Sequence, residues 1–258
     1  IFILTHGRPD RVITLTALER AAYTGRVYLV VDDEDPTREE YVAKYGDKVL
    51  LFSKVEVAKT FDLADNFHGK KGVVVFARNA CWVLARQVGV KYFMEMDDDF
   101  DAFHYRFDGQ NKYIARRVCV MMDRLLSVLI EFYARTPILT IALSQGGDHM
   151  GGDSMGDKWP RLRRKAMGSF LLSVDRPFDF VGRINEDVNT YTNMSRQGCL
   201  FFTLMNVMLN TEATQKHAGG MTSTYLDGGT YIKSFYSVAC CPSAVKIGAL
   251  GDPRSPQY

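Results

Sequence analysis

The chain has no apolar run near the roughly 20 residues that a membrane span needs. It reads as a protein with no membrane partner. Cysteine is scarce: Cys81, Cys119, Cys199, Cys240 and Cys241 are the whole set. An odd number without regular spacing or a C-x-x-C pair argues against a disulfide framework and a structural zinc site. It fits a reducing cytoplasm. Excess charge is also slight, +2 from 32 basic and 30 acidic residues. Overall charge therefore does not mark a nucleic-acid binder, and any such partner would need a local basic patch. Internal repeats and low-complexity tracts are missing, which excludes collagen-like and largely disordered chains. What is present is ordinary for a soluble globular protein: 258 residues, 47% hydrophobic and 24% charged. A chain of this length buries a full core without cross-links. It opens on Ile1 inside an apolar run rather than on Met, so a trimmed leading segment belongs to the expectation.

The first half alternates strand and helix patterns. Strands are expected over residues 1–4, 27–31, 49–52, 73–75 and 91–96, and again over 138–143. Helices are expected over about 10–23, 36–45, from 76 through Val88, and 113–135. This rhythm predicts an α/β fold, a mostly parallel sheet flanked by helices. The second half is less regular. A Gly-rich loop fills 144–157, strands are expected over 169–174 and 200–204, and a helix over 186–196. A second Gly-rich stretch covers 214–230. No linker divides the chain, so residues 1–258 read as a single domain.

The sharpest feature is the strand Tyr92-Phe93-Met94-Glu95-Met96 running into Asp97-Asp98-Asp99. Ligands of open α/β sheets sit beyond the carboxyl ends of strands. In an extended chain Asp97 and Asp99 face the same way and repel each other unless a cation lies between them. A hard divalent ion on one or two carboxylates completes its shell with substrate phosphates, so the pattern points to a metal–diphosphate site. A calcium loop is rejected, because Ala102 and Asp108 stand where the EF-hand needs Gly and Glu. A solvated acidic turn is the bland alternative. Arg78, at an expected helix start, suits a phosphate or a base. Thr5, Gly7 and Arg8 follow the first strand, and Asp32 and Asp33 end the second. These polar groups gather at one sheet edge and could receive a nucleotide diphosphate.

Ala77-Arg78-Asn79, the following helix and Met96-Asp97-Asp98-Asp99 resemble the nucleotide-sugar half of GT-A glycosyltransferases. The likeness covers about residues 1–105, leaving 106–258 as an acceptor and catalytic half. It implies Mn²⁺ or Mg²⁺ on Asp97 and Asp99, with Asp98 beside the donor. It also implies a base in the later acidic pair of Asn185-Glu186-Asp187: Asp187 first, Glu186 second. A carboxylate at a helix N-terminus stays ionised at neutral pH, although Asn185 as a helix cap with acids in the first turn is the plainer reading. His217 is the implied third metal ligand and Lys233 a diphosphate contact. Asp148, in the Gly-rich loop, could hold sugar hydroxyls. Lys158, Arg161, Arg163, Arg164 and Lys165, with Trp159, form a basic cluster able to meet DNA phosphates.

Glu186 to Tyr191, Gly219 to Tyr225 and Tyr231 to Phe235, with Pro242, Val245 and Lys246, resemble the TET-associated glycosyltransferases of phages. That resemblance implies transfer of a sugar from a UDP-sugar to 5-hydroxymethylcytosine in phage DNA, in the cytoplasm of an infected host. A target base inside a duplex would have to be flipped out. The alternatives are a glycosyltransferase acting on protein, lipid or polysaccharide, a nucleotidyltransferase, and a non-catalytic nucleic-acid-binding module.

Overall fold

The computed structural model describes residues 1–63, 74–118, 121–149, 164–211 and 232–248. Its strands are β1 (Phe2–Leu4), β2 (Tyr28–Asp32), β3 (Val49–Phe52), β4 (Tyr92–Asp97), β5 (Phe100–Phe107), β6 (Tyr113–Arg117), β7 (Ile138–Gln145), β8 (Ser169–Ser173) and β9 (Leu200–Thr211). They form one sheet in the order β3-β2-β1-β4-β8-β7-β9-β5-β6. The first four pair in parallel. Beyond β4 the sheet is mixed: β8 lies antiparallel to β4 and β7, β9 is parallel to β7, and β5 and β6 add antiparallel strands.

The helices are α1 (Ile13–Arg20), α2 (Arg38–Tyr45), α3 (Lys54–Ala58), α4 (Val74–Gln87), α5 (Met122–Arg135), α6 (Glu186–Arg196) and α7 (Ile232–Cys240). Successive strand residues point to opposite faces, and each face has its own core. Ile3, Leu29, Val31, Met94 and Met96 pack with Leu18 of α1 and Leu126 of α5. Phe2, Leu4, Val30 and Phe93 pack with Phe76, Ala80 and Trp82 of α4. Burial on both faces explains why these strands read as unbroken apolar runs. No helix of the described residues is long and apolar enough to cross a membrane.

Three expectations change. Val74 and Val75 begin α4 rather than forming a strand. Val75, Phe76, Ala80 and Trp82 are all buried, so tertiary packing overrides the β preference of the valines. The long helix expected over 113–135 starts only at Met122, and Tyr113–Arg117 is β6. Its partner β5, which follows directly on the acidic triplet, has no counterpart among the expected strands. The strand ending near Leu204 continues to Thr211, because β5 pairs along its second half.

Candidate active site

In register, Leu4 lies beside both Val30 and Asp97. The loops after β1, β2 and β4 therefore open at one edge of the sheet, where α/β folds bind ligands. Asp98 and Asp99 form a turn into β5, so strict alternation ends at Asp97. Asp98 is directed inward: Thr5 Oγ1 donates to its Oδ2 at 2.7 Å, and Arg8 Nη2 lies 2.9 Å from Oδ1. Burial pushes Asp98 up to about 6, against the pull of Arg8 and Thr5. Tyr41 completes the knot, with its hydroxyl 2.7 Å from Thr5 Oγ1 and accepting the Arg8 N–H at 2.9 Å. Thr5, Arg8 and Asp98 are thus engaged with one another.

At the end of β2, Asp32 meets His6 Nδ1 at 2.7 Å and Lys54 Nζ at 3.5 Å. Burial raises the Asp32 carboxyl, but His6 and Lys54 outweigh it and hold it below its ordinary range. Gly7 and Lys54 donate backbone N–H groups to Asp35 and Asp33, at 2.8 and 2.9 Å. Among the described residues, His6, Asp32 and Asp35 are the one set whose ligand atoms fall within 4.8 Å of one another. Gly7 donates to Asp35 Oδ2, one of the oxygens that face His6, while Thr37 and Lys54 donate to the Oδ1 atoms of Asp35 and Asp32. His6, Tyr41 and Lys54 were missed in the sequence. Only His6 carried a signal, by standing inside the polar loop after β1.

Period-two alternation places Phe93, Glu95 and Asp97 on the α4 face. Arg78 of α4 waits beneath them. Its position inside the helix differs from the helix-start phosphate contact expected: it is 2% exposed and faces carboxylates. Nη2 lies 2.9 Å from Asp97 Oδ1, Nε 2.8 Å from Glu186 Oε1, and Nη1 3.5 Å from Glu95 Oε2. Burial would lower the Arg78 pKa, but these acids raise it. The rings of Phe170 and Phe180, their centroids 4.9 Å apart, lie together on one side of the guanidinium at 5.0 and 5.6 Å. Next to it, Asn79 clamps the Phe180 backbone, donating to its oxygen at 2.9 Å and accepting its N–H at 2.8 Å.

Glu186 and Asp187 open α6 and are both buried. Asn185 does not cap this helix. It adopts a left-handed conformation (φ 55°), and its side chain donates to Ser237 of α7. Asp187 is raised well above the usual carboxylate range, first by burial and then by Glu186. Burial here outweighs the helix N-terminus, contrary to the simple expectation of a fully ionised acid.

Asp97 keeps one oxygen free of Arg78. A Cβ placed on Gly168 would lie 3.4 Å from Asp97 Oδ2 and 2.9 Å from Gln145 Nε2. The bare glycine therefore leaves room at that oxygen, and its φ of +68° suits glycine as well. Loss of water raises Asp97 to about 6, and Asp99 and Glu186 add to the rise while Arg78 opposes it. Several carboxyls thus gather around one guanidinium, a repulsion that a divalent cation relieves. Asp97 and the partly exposed Asp99 offer at most two ligands, a donor set that fits Mg²⁺ or Mn²⁺ completed by substrate oxygens.

The remaining candidates are divided. Arg164 Nη1 pairs with Asp148 at 3.3 Å, while its Nε and Nη2 are buried without a hydrogen-bond partner. Asp148 also accepts the Gln145 N–H, and Lys165 is exposed. His217, Lys158, Arg161 and Arg163 lie outside the described residues, as does the side chain of Lys233.

A parallel α/β half with polar strand-end loops and a carboxylate–arginine centre meets at the sheet edge where open α/β folds take their ligands. A family model described as TET-Associated Glycosyltransferase matches residues 1–220, and the chain belongs to that family. It is a glycosyltransferase. Among solved structures it is similar to glucosyl-3-phosphoglycerate synthase from Mycobacterium tuberculosis, crystallised with Mn²⁺, uridine diphosphate and phosphoglyceric acid. The identity there is 10%, over 96% of this chain and 80% of that one, with a TM-score of 0.45. It is also similar to a putative nucleotide-diphospho-sugar transferase from Desulfovibrio desulfuricans G20. In that case the identity is 9%, over 92% of this chain and 91% of that one, with a TM-score of 0.41. No curated protein matches the chain.

Proposed function

We propose that this chain is one GT-A domain that moves a sugar from a UDP-sugar, with Mn²⁺ or Mg²⁺, to the hydroxymethyl group of 5-hydroxymethylcytosine in phage DNA. It would do so in the cytoplasm of the infected host. The observation that carries the reading is the meeting of Asp97 and the Glu186–Asp187 pair on either side of Arg78, at the carboxyl edge of the parallel strands. In this reading Asp97 and Asp99 hold the metal, with His217 as a third ligand. The metal supplies charge stabilisation for the departing diphosphate. The loops carrying Thr5, Gly7, Arg8, Asp32 and Asp33 surround the nucleotide, and Lys233 meets its diphosphate. Asp187 takes the proton from the acceptor hydroxyl. That oxygen forms a bond to the anomeric carbon as the bond from that carbon to the diphosphate oxygen breaks. A base whose pKa lies near the working pH serves this step well.

DNA as acceptor draws support from the family's name and from exposed cations. Lys112, Arg116 and Arg117 lie on the turn and edge strand of the β5–β6 hairpin and are exposed. The sequence adds Lys158, Arg161 and Arg163. The test is donor turnover with Mn²⁺, using a panel of UDP-sugars and hydroxymethylcytosine DNA against unmodified DNA. UDP release with a hexose-sized mass gain on the modified base is expected. UDP release without that gain moves the acceptor to protein, lipid or polysaccharide. Pyrophosphate release points to a nucleotidyltransferase, and DNA binding without turnover to a binding module.

A further inference from the structure

The α4 arginine is the least explained part of the site. A donor-binding arginine would present its nitrogens to the cleft, whereas Arg78 is 2% exposed. Each of its ends faces a carboxylate from a different part of the chain. Asp97 closes β4 and Glu186 opens α6, and Arg78 reaches them at 2.9 and 2.8 Å. Glu95 contributes a third acid, itself fully buried. The planar guanidinium fork fixes direction as well as distance, which a point charge on a flexible stem does not. Phe170 and Phe180 close one side of that fork and limit its movement. The adjacent Asn79 holds the Phe180 backbone at two points, on the stretch that leads into α6. The Asn185 side chain makes no capping hydrogen bond to that helix, and within its first turn Val188 donates its N–H to Asp187 Oδ1 at 2.7 Å.

We infer that Arg78 is a positioning residue that sets the metal-side carboxylate Asp97 and the base-bearing turn Glu186–Asp187 at a fixed separation, and that Glu186 acts through Arg78 rather than as a base. This rests on the proposed donor and base assignments. By engaging Oδ1, Arg78 leaves Asp97 Oδ2 turned toward Gly168. By engaging Glu186 it fixes the start of α6, and hence where the neighbouring Asp187 is presented.

The experiment compares wild type, R78K, E186Q and E186A. Circular dichroism and thermal unfolding establish folding. Binding of Mn²⁺ alone is read by EPR, and kcat and donor KM are measured at saturating Mn²⁺. Lysine keeps the charge but loses the fork. R78K is expected to bind Mn²⁺ about tenfold more weakly, and to lose at least about 100-fold in kcat with donor KM little changed. Glutamine at 186 retains an oxygen for Arg78 Nε. E186Q is therefore expected to keep kcat within about tenfold of wild type, while E186A falls about 100-fold. A folded R78K with wild-type kcat and Mn²⁺ affinity overturns the inference. So does an E186Q as inactive as E186A, which would make Glu186 itself the proton acceptor. If R78K does not fold, the Gln-versus-Ala contrast at 186 decides alone, and equal kcat in those two variants counts against the inference. A wild-type protein that neither binds Mn²⁺ nor turns over a nucleotide sugar overturns the proposed function and this inference with it. An active wild type with failing variant contrasts overturns the inference only.

Discussion

Thr5 Oγ1 donates to Asp98 Oδ2 across 2.7 Å, tying the loop after β1 to the turn after β4. The middle acid of the triplet is thus a strut between loops, with Arg8 on its other oxygen. Asp98→Ala is expected to cost about 2 kcal/mol of stability, the loss of hydrogen bonds to a charged group. Mn²⁺ affinity should change little. Asp97→Asn with Asp99→Asn should do the reverse, keeping the fold and abolishing Mn²⁺-dependent donor binding. Urea unfolding and Mn²⁺ titration on both variants separate the two roles.

Gly168→Ala places a methyl group 2.9 Å from Gln145 Nε2 and 3.4 Å from Asp97 Oδ2, at a φ of +68°. The left-handed backbone alone should cost about 1–2 kcal/mol. The intrusion at Asp97 should also weaken Mn²⁺ binding. Loss of stability with unaltered Mn²⁺ affinity would show that the glycine serves only the backbone.

Asp187 is raised by burial and by Glu186. A base works only when deprotonated, so turnover should rise with pH through a limb above the ordinary carboxylate range. Asp187→Asn should lower kcat by about 10²–10⁴-fold and remove that limb, while UDP binding persists. A pH–rate profile of kcat at saturating donor checks both.

His149 is buried beside the Phe107 and Tyr113 rings, with Nε2 2.8 Å from Ser144 Oγ. Burial and Arg106 lower it from 6.5 to about 4. Between those values the unfolded chain takes up a proton that the folded protein refuses, so this residue makes stability fall as pH drops. His149→Gln retains a donor for Ser144 and removes the titration. The stability lost between pH 7 and pH 5 should shrink by about 1–2 kcal/mol in that variant, read by urea unfolding at each pH.

The hairpin cations test the DNA reading. Replacing Lys112, Arg116 and Arg117 with Ala should weaken DNA binding and reduce the slope of log K against log salt by up to about three, close to one for each phosphate no longer neutralised. Mn²⁺-dependent donor hydrolysis without DNA should be unaffected. An unchanged salt slope would remove this hairpin from the acceptor surface.

The sequence by itself located the four strands of the parallel half, with one more expected at 73–75 that became the start of α4. Two-sided burial writes β1 to β4 as apolar runs, and period-two alternation already sets Glu95 and Asp97 on one face. It also located the acidic triplet and α6, because abrupt changes of polarity at strand and helix ends are local signals. Tertiary structure alone decided which groups those acids meet. Arg78 and Glu186 stand 108 residues apart and touch at 2.8 Å. The β5–β6 hairpin was hidden for a related reason: Tyr113–Arg117 becomes a strand only because β5 offers it a ladder. Partner choice, burial and the resulting proton affinities depend on elements brought together across the chain, and no local pattern of residues encodes them.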